Sequence, residues 1–175
     1  MMLLPGDAVF FQKLYALDEE ICRELKLKGC RHCGSPLDVA NIPRKLRGRQ
    51  EGPTIRFGLC CRKQGCRKRV LPPSLRFLGR KVYGALTVIL AADFYNRLML
   101  REAIPRRTLT RWRSFWKSEL SESSSFMRWA RARGILPIAQ AGESPRNILM
   151  AFGFPGVESL IPALRFFTQF RHGPE

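Results

Sequence analysis

The sequence predicts a mainly α-helical protein that carries one small, loop-rich β module near its N-terminus. Three observations lead to this fold class. Apolar residues recur at helical spacing in residues 1–28 and again after residue 74. Prolines and glycines crowd residues 36–53, which is typical of loops and short strands. Four cysteines, arranged as a C-x2-C pair and a C-x4-C pair, bracket that same stretch.

The composition points to a polyanionic partner. The chain has 175 residues, with 31 Lys and Arg against 14 Asp and Glu, and a net charge of +17. Arginine outnumbers lysine by 23 to 8, and its planar guanidinium group suits bidentate contact with phosphate or guanine. Hydrophobic residues make up 45% of the chain, enough for a buried core. The charge therefore favours nucleic acid over a small substrate.

The sequence argues against a membrane protein. Its longest apolar stretch, residues 82–92, is shorter than the roughly 20 residues that a spanning helix needs. The first 12 residues lack the basic region of a signal peptide. We therefore expect a cytoplasmic location, where the six cysteines are better interpreted as metal ligands than as disulfides.

Residues 1–28 are predicted to form an N-terminal helical segment. Asp18 is the expected N-cap, with two glutamates in the first turn, and Gly29 is the expected end. Cys22 lies away from the paired cysteines and is interpreted as a small buried residue. The predicted buried stripe consists of Leu14, Leu17, Ile21 and Leu25.

Residues 29–73 are predicted to form a metal module. Thiolates at these spacings suit a tetrahedral, structural zinc site, because two tight turns bring four ligands together. Gly34 follows the second cysteine and Gly65 precedes the last, where backbone amides must turn toward sulfur. The expected ligands are Cys30, Cys33, Cys61 and Cys66.

Two residues leave alternatives for the ligand set. Cys60 could replace Cys61, but adjacent residues on a strand face opposite ways, so we favour Cys61 and place Cys60 in the core. His32 lies between two ligands and is expected to be exposed.

Alternation of Ile55, Phe57 and Leu59 with Arg56 and Gly58 predicts a strand that leads into the second cysteine pair.

Residues 74–120 are predicted to contain three helices, at residues 82–90, 96–103 and 106–120, arranged as a helix-turn-helix. Pro105 fits the start of the third helix. Residues near the start of a recognition helix reach base edges, while flanking cations hold phosphates. The expected contacts from this helix are Arg106, Arg107, Thr108, Thr110, Arg111, Arg113 and Lys117, and those expected in the groove are Arg106, Arg107, Thr108 and Arg111. Those from the metal module and the basic run after it are Arg62, Lys63, Arg67, Lys68, Arg69, Arg76 and Arg80.

Residues 121–175 are predicted to form a helical C-terminal tail. It begins with a serine-rich loop at residues 121–125, and its apolar positions cover either the protein's own helices or a partner surface. The first of these two alternatives is favoured.

The basic run at residues 65–83 and the R-R-T-L-T-R-W-R pattern at residues 106–113 support one resemblance. Over about residues 28–120, the chain resembles small zinc-ribbon plus helix-turn-helix DNA-binding proteins associated with bacterial insertion sequences and transposases. The resemblance implies binding of double-stranded DNA at a transposon end or target site, with a transposase or another mobile-element protein as partner. It also implies a bacterial, nucleoid-associated location. No acidic triad of a complete transposase can be assembled from the sequence.

The full prediction is a mainly α fold with a small β zinc ribbon. A helical N-terminal segment, a four-cysteine zinc ribbon, a helix-turn-helix and a helical C-terminal tail follow one another. The predicted function is non-catalytic binding of double-stranded DNA, with structural Zn²⁺ as the cofactor. The alternatives are a minimal or truncated transposase or nuclease, and an interaction subunit of a larger assembly. Charge alone does not distinguish DNA from RNA.

Overall fold

The computed structural model describes residues 8–44, 54–77, 84, 104–122, 132, 149–150, 152–153 and 157–168. Its contacts divide the chain into two compact units, Met1–Ala85 and Leu86–Glu175, called here the N-terminal and C-terminal units. Arg80 and the predicted helices at 82–90 and 96–103 lie outside the described residues, apart from residue 84. Among the described residues, no helix has the length and apolar character needed to cross a bilayer.

Helix α1 spans Ala8–Lys28. It ends as predicted at Gly29, which adopts a φ of 73° and donates its backbone N–H to the Lys26 carbonyl at 3.2 Å. The predicted start was wrong, because α1 runs continuously through Asp18 instead of beginning there. Asp18 is buried within the helix, and its carboxylate accepts hydrogen bonds from a distant part of the chain.

The buried face of α1 follows a four-residue spacing through Phe10, Leu14, Asp18 and Cys22. Of the predicted stripe, only Leu14 is fully buried, and the other three members are half-buried beside it. The prediction that Cys22 is a core residue is confirmed, since it is 6% exposed. Burial also raises the pKa of its thiol.

Five short strands follow α1: β1 Leu37–Val39, β2 Ile42–Arg44, β3 Thr54–Arg56, β4 Leu59–Cys61 and β5 Arg69–Val70. They form two antiparallel sheets, one in the order β1-β4-β5 and one pairing β2 with β3. Leu37 lies opposite Cys61 in the larger sheet, and Arg44 lies opposite Thr54 in the smaller one. The described residues of this unit therefore combine helix α1 with small antiparallel sheets.

The predicted strand through residues 55–61 is interrupted at Phe57 and Gly58, and its faces are reversed in β3. Ile55 is exposed, whereas Arg56 is buried and donates from Nη1 to the Phe77 carbonyl at 3.2 Å. Glycine is required at the interruption. A Cβ at Gly58 would lie 2.7 Å from the Ala40 carbonyl oxygen, so only glycine permits this close approach of the backbones.

A buried ion pair fastens α1 to the segment at residues 72–77. Arg76 donates from Nε to Asp18 Oδ2 at 2.9 Å, and both side chains are almost fully enclosed. The other nitrogens of the guanidinium donate to Thr54 Oγ1 at 3.1 Å and to the Ile55 carbonyl at 2.8 Å. Its carbon lies 4.4 Å from the Tyr15 ring centroid. Each guanidinium nitrogen therefore has a partner, as a buried charge requires.

The C-terminal unit contains helices α2, Arg106–Glu122, and α3, Val157–Phe167. The predicted third helix is confirmed with Pro105 at its start, where the Pro105 carbonyl accepts the Thr108 N–H at 2.9 Å. Trp116 and Phe167 make an edge-to-face contact, with ring centroids 5.1 Å apart. Phe167 of α3 thus packs on the protein's own helix α2, in the way that the favoured alternative expects.

Candidate metal centre and its basic surroundings

Four cysteine sulfurs converge in the N-terminal unit. The Sγ atoms of Cys30, Cys33, Cys61 and Cys66 all lie within 4.8 Å of one another. The Cys30–Cys66 distance is 3.8 Å and the Cys33–Cys61 distance is 3.5 Å. A tetrahedron of ~2.3 Å Zn–S bonds has sulfur–sulfur edges of about 3.8 Å. The cluster therefore has the size of a tetrahedral metal site, formed by the four predicted cysteines.

The first pair is held by a tight turn after α1. The Cys30 carbonyl accepts the N–H groups of Cys33 at 3.2 Å and of Gly34 at 2.7 Å, and Gly34 has a φ of 71°. The Ser35 carbonyl accepts the Cys30 N–H at 2.9 Å. These bonds turn both thiols to the same side, as the C-x2-C-G spacing predicted.

The second pair is held by a turn with the same hydrogen bonds. The Lys63 carbonyl accepts the N–H groups of Cys66 and Arg67, both at 3.1 Å. Cys66 therefore corresponds to Cys33, and Arg67 corresponds to Gly34. The other ligand, Cys61, lies just before this turn on β4, where its N–H donates to the Lys68 carbonyl at 2.9 Å.

The structure distinguishes Cys61 from Cys60. Cys61 belongs to the sulfur cluster and is completely buried. Cys60 points to the other side of β4, is half-buried, and has its Sγ near the carbonyls of Cys61 and Arg67 at 3.7 and 3.6 Å. The choice of Cys61 is borne out by the cluster, although Cys60 is less deeply placed than expected. His32 is exposed and outside the cluster, as predicted.

The surroundings of the sulfurs differ. Burial among Cys22, Leu37 and Leu59 raises the pKa of Cys61 to about 12. Hydrogen bonding from Ser35 lowers the pKa of Cys33 to about 6. Ser35 was not singled out in the sequence, although its position two residues after Cys33 is the signal that could have identified it.

Four thiolates would fill a tetrahedral shell, and this donor set fits a structural zinc ion with no open position for a substrate.

Exposed cations surround the second turn. Arg62 makes a bidentate contact with Asp38, with Nη2 and Oδ1 2.7 Å apart. This contact holds the pKa of Asp38 below its usual range. Strand β1 presents Asp38 to Arg62. The predicted contact residues that are exposed here are Arg62, Lys63, Arg67, Lys68 and Arg69.

The assignment of Arg76 to the nucleic-acid surface was wrong. Arg76 is 1% exposed, and its guanidinium is occupied by Asp18, Thr54 and Ile55. The basic run in which it lies is indistinguishable, as a local pattern, from a run of surface cations. Arg80 lies outside the described residues, so it stays a prediction.

Helix α2 presents a basic face within the C-terminal unit. Leu109, Trp112 and Trp116 are buried on one side, and Thr108 is half-buried at the edge. The Thr110 hydroxyl donates to the Arg106 carbonyl at 3.2 Å. The predicted contact residues that are exposed on α2 are Arg106, Arg107, Thr110, Arg111, Arg113 and Lys117.

No protein-family model, curated protein or solved structure matches this chain. The similarity to transposon-associated proteins therefore stays a prediction from the sequence.

Proposed function

We propose that this protein is a non-catalytic, zinc-stabilised binder of double-stranded DNA with a zinc ribbon followed by a helix-turn-helix. In the cell it would serve as an accessory, targeting or end-recognition factor of a bacterial mobile element. The proposal assigns Zn²⁺ a structural role at Cys30, Cys33, Cys61 and Cys66, because four thiolates complete the tetrahedral shell of zinc.

One observation carries the proposal: the exposed cations lie on elements whose backbones are fixed. The turn at residues 62–68 is closed by hydrogen bonds to the Lys63 carbonyl and bears one metal ligand at its centre. Cations on such a turn lose little entropy when they meet a phosphate, so binding costs less than it would from a mobile tail. A net charge of +17 adds long-range attraction to any polyanion.

The geometry of α2 divides its exposed residues into two groups. Arg107, Thr110, Arg111 and Ser114 are separated by three or four residues, so they lie together on the side opposite Trp112 and Trp116. In a recognition helix, this outermost line faces the floor of the major groove. Arginine at its start can form a bidentate contact with guanine, and threonine can pair with any base edge.

Arg113 and Lys117 lie on one flank of that line, because each residue advances about 100° around a helix. Side chains on the flanks of a groove-bound helix reach phosphates rather than bases. We therefore assign base readout to Arg107, Thr110 and Arg111, and phosphate contact to Arg113 and Lys117.

The test combines selection from a random duplex pool with a salt titration of the selected duplex. With roughly 6–10 phosphate contacts, affinity should fall by 10³ to 10⁵ between 50 and 200 mM salt. Arg107→Ala should relax sequence preference at one position, whereas Lys117→Ala should weaken binding to all duplexes and lower the salt slope by about 0.9. A flat titration, or preference for single-stranded RNA over duplex DNA, would reject the proposal.

A further inference from the structure

Arg67 holds a backbone conformation that its side chain disfavours. Its φ is 41°, and it is the one residue other than glycine with a positive φ in the part of the chain that the structure describes. In this left-handed region, the Cβ of an L residue crowds the following carbonyl. Such strain persists where the surrounding structure imposes it, and it is concentrated at functional positions.

The first metal-binding turn has glycine, the residue best suited to a positive φ, at the equivalent position. Gly34 occupies the equivalent place, with a φ of 71° and the same hydrogen bond to the carbonyl three residues before its cysteine. The matching bond in the second turn joins the Arg67 N–H to the Lys63 carbonyl at 3.1 Å. Glycine would satisfy the second turn without strain, so arginine at this position is a departure that the fold does not need.

The Arg67 guanidinium makes no direct contact within the described residues, and only a longer-range attraction to the Asp38 carboxylate involves its charge. The side chain is exposed, and the structure records no hydrogen bond or ion pair of its guanidinium there. The other arginine of this turn differs, because the Arg62 guanidinium is bound by both oxygens of Asp38. Of these two guanidinium groups, the one on Arg67 is therefore ready to accept an external anion.

We propose that Arg67 is a phosphate-binding residue, placed next to a metal ligand so that its guanidinium meets the nucleic-acid backbone in a fixed direction. The inference rests on the proposed function, whose polymer supplies the phosphate. Cys66 and the hydrogen-bonded turn fix the Arg67 backbone when the metal is bound. The planar guanidinium then binds a phosphate through two parallel hydrogen bonds.

The decisive variant is Arg67→Gly, because it removes the guanidinium and the strain together. We expect its thermal midpoint in saturating zinc to rise by roughly 2–4 °C, since relief of strain exceeds the entropic cost of glycine. Its affinity for duplex DNA should fall by about tenfold at low salt. The slope of log affinity against log salt should decrease by about 0.9, the value for one phosphate contact.

The matched control is the double variant Gly34→Arg/Arg67→Gly, which keeps net charge and all four ligands but moves the cation to the other turn. Nothing lies within 4 Å of a Cβ at Gly34, but its φ of 71° strains any side chain placed there, so the double variant is compared in saturating zinc after one bound zinc ion per chain has been verified. The double variant should bind DNA as weakly as Arg67→Gly. Wild-type binding by the double variant would show that only net charge matters, and the inference would then fail.

The remaining outcomes separate this inference from the proposed function. If wild-type protein shows a steep salt slope and Arg67→Gly shows the same slope, Arg67 is not a phosphate contact, although the protein still binds DNA. If the affinity of the wild-type protein for duplex DNA does not change with salt concentration, the proposed function and this inference both fail. If Arg67→Gly melts below wild type, arginine serves the turn itself and the premise of strain is overturned.

Discussion

Asp18 and Arg76 form an ion pair inside the N-terminal unit, with Nε and Oδ2 2.9 Å apart and side-chain exposures of 2% and 0%. Asp18 Oδ1 also accepts the Leu75 N–H at 2.6 Å, and Oδ2 accepts the Ser74 hydroxyl at 2.5 Å. One carboxylate in the middle of α1 thus fixes the path of the chain as it leaves the small sheets.

We expect Asp18→Asn to destabilise the N-terminal unit by about 3–5 kcal/mol, because it leaves the Arg76 charge buried without a counter-ion. Urea denaturation of the full chain in saturating zinc measures the change. Asp38→Asn is the matched control, since it breaks the exposed pair with Arg62 and should leave the midpoint nearly unchanged. Equal midpoints for the two variants would contradict the assignment of Asp18 as a structural residue.

Substitution of the adjacent cysteines should separate the ligand from its neighbour. Cys60→Ser should keep one zinc ion per chain, because Cys60 lies outside the sulfur cluster. Cys61→Ser removes a direct ligand and should weaken zinc by more than the roughly 10–100-fold cost of losing an outer-shell partner. Elemental analysis and chelator competition measure both variants. Zinc loss on Cys60→Ser with retention on Cys61→Ser would reverse the assignment.

Zinc affinity should rise with pH across the neutral range. Burial raises the pKa of Cys61 to about 12, so this thiol is protonated at neutral pH until a metal displaces its proton. Cys33, with a pKa lowered to about 6 by Ser35, is mostly thiolate there and releases few protons. Apparent affinity should therefore increase by at least about tenfold per pH unit, one factor of ten for each proton released. A pH-independent affinity would contradict burial of the Cys61 thiol.

Asp38→Asn should also strengthen binding to duplex DNA. The substitution removes a negative charge and releases the Arg62 guanidinium, which Asp38 holds at 2.7 Å. The salt slope should steepen by up to about 0.9 if Arg62 then contacts a phosphate. Arg62→Gln is the control, since it should bind no better than wild type. Weaker binding by Asp38→Asn would mean that the pair positions Arg62 for its contact.

The sequence predicted the features that depend on neighbouring residues. The two cysteine turns need only short spacings and nearby glycines, and Gly29 ends α1 because a left-handed residue stops a helix there. Helix α2 was predictable because Pro105 precedes apolar residues at regular helical intervals.

The features that failed depend on contacts between distant parts of the chain. Aspartate is a common N-cap residue, but the hydrogen-bond partners of Asp18 lie in residues 74–76. No local sequence pattern predicts that pairing. Arg56 and Ile55 exchange their expected faces because the Phe77 carbonyl accepts from the arginine and the ring of Phe77 packs against it. Alternation predicts that two faces differ, but the surrounding chain decides which of them is covered.

Pairing of Arg44 with Thr54 brings the two ends of the intervening stretch together, so additional residues there need not displace either cysteine turn. The entropic cost of lengthening a loop grows only slowly with its length. Homologues of this chain should therefore be sought with a profile that allows a variable gap between C-x2-C-G and C-x4-C. Such a profile would also include Asp18 in α1 and Arg76, ten residues after Cys66, because these two residues form the buried ion pair.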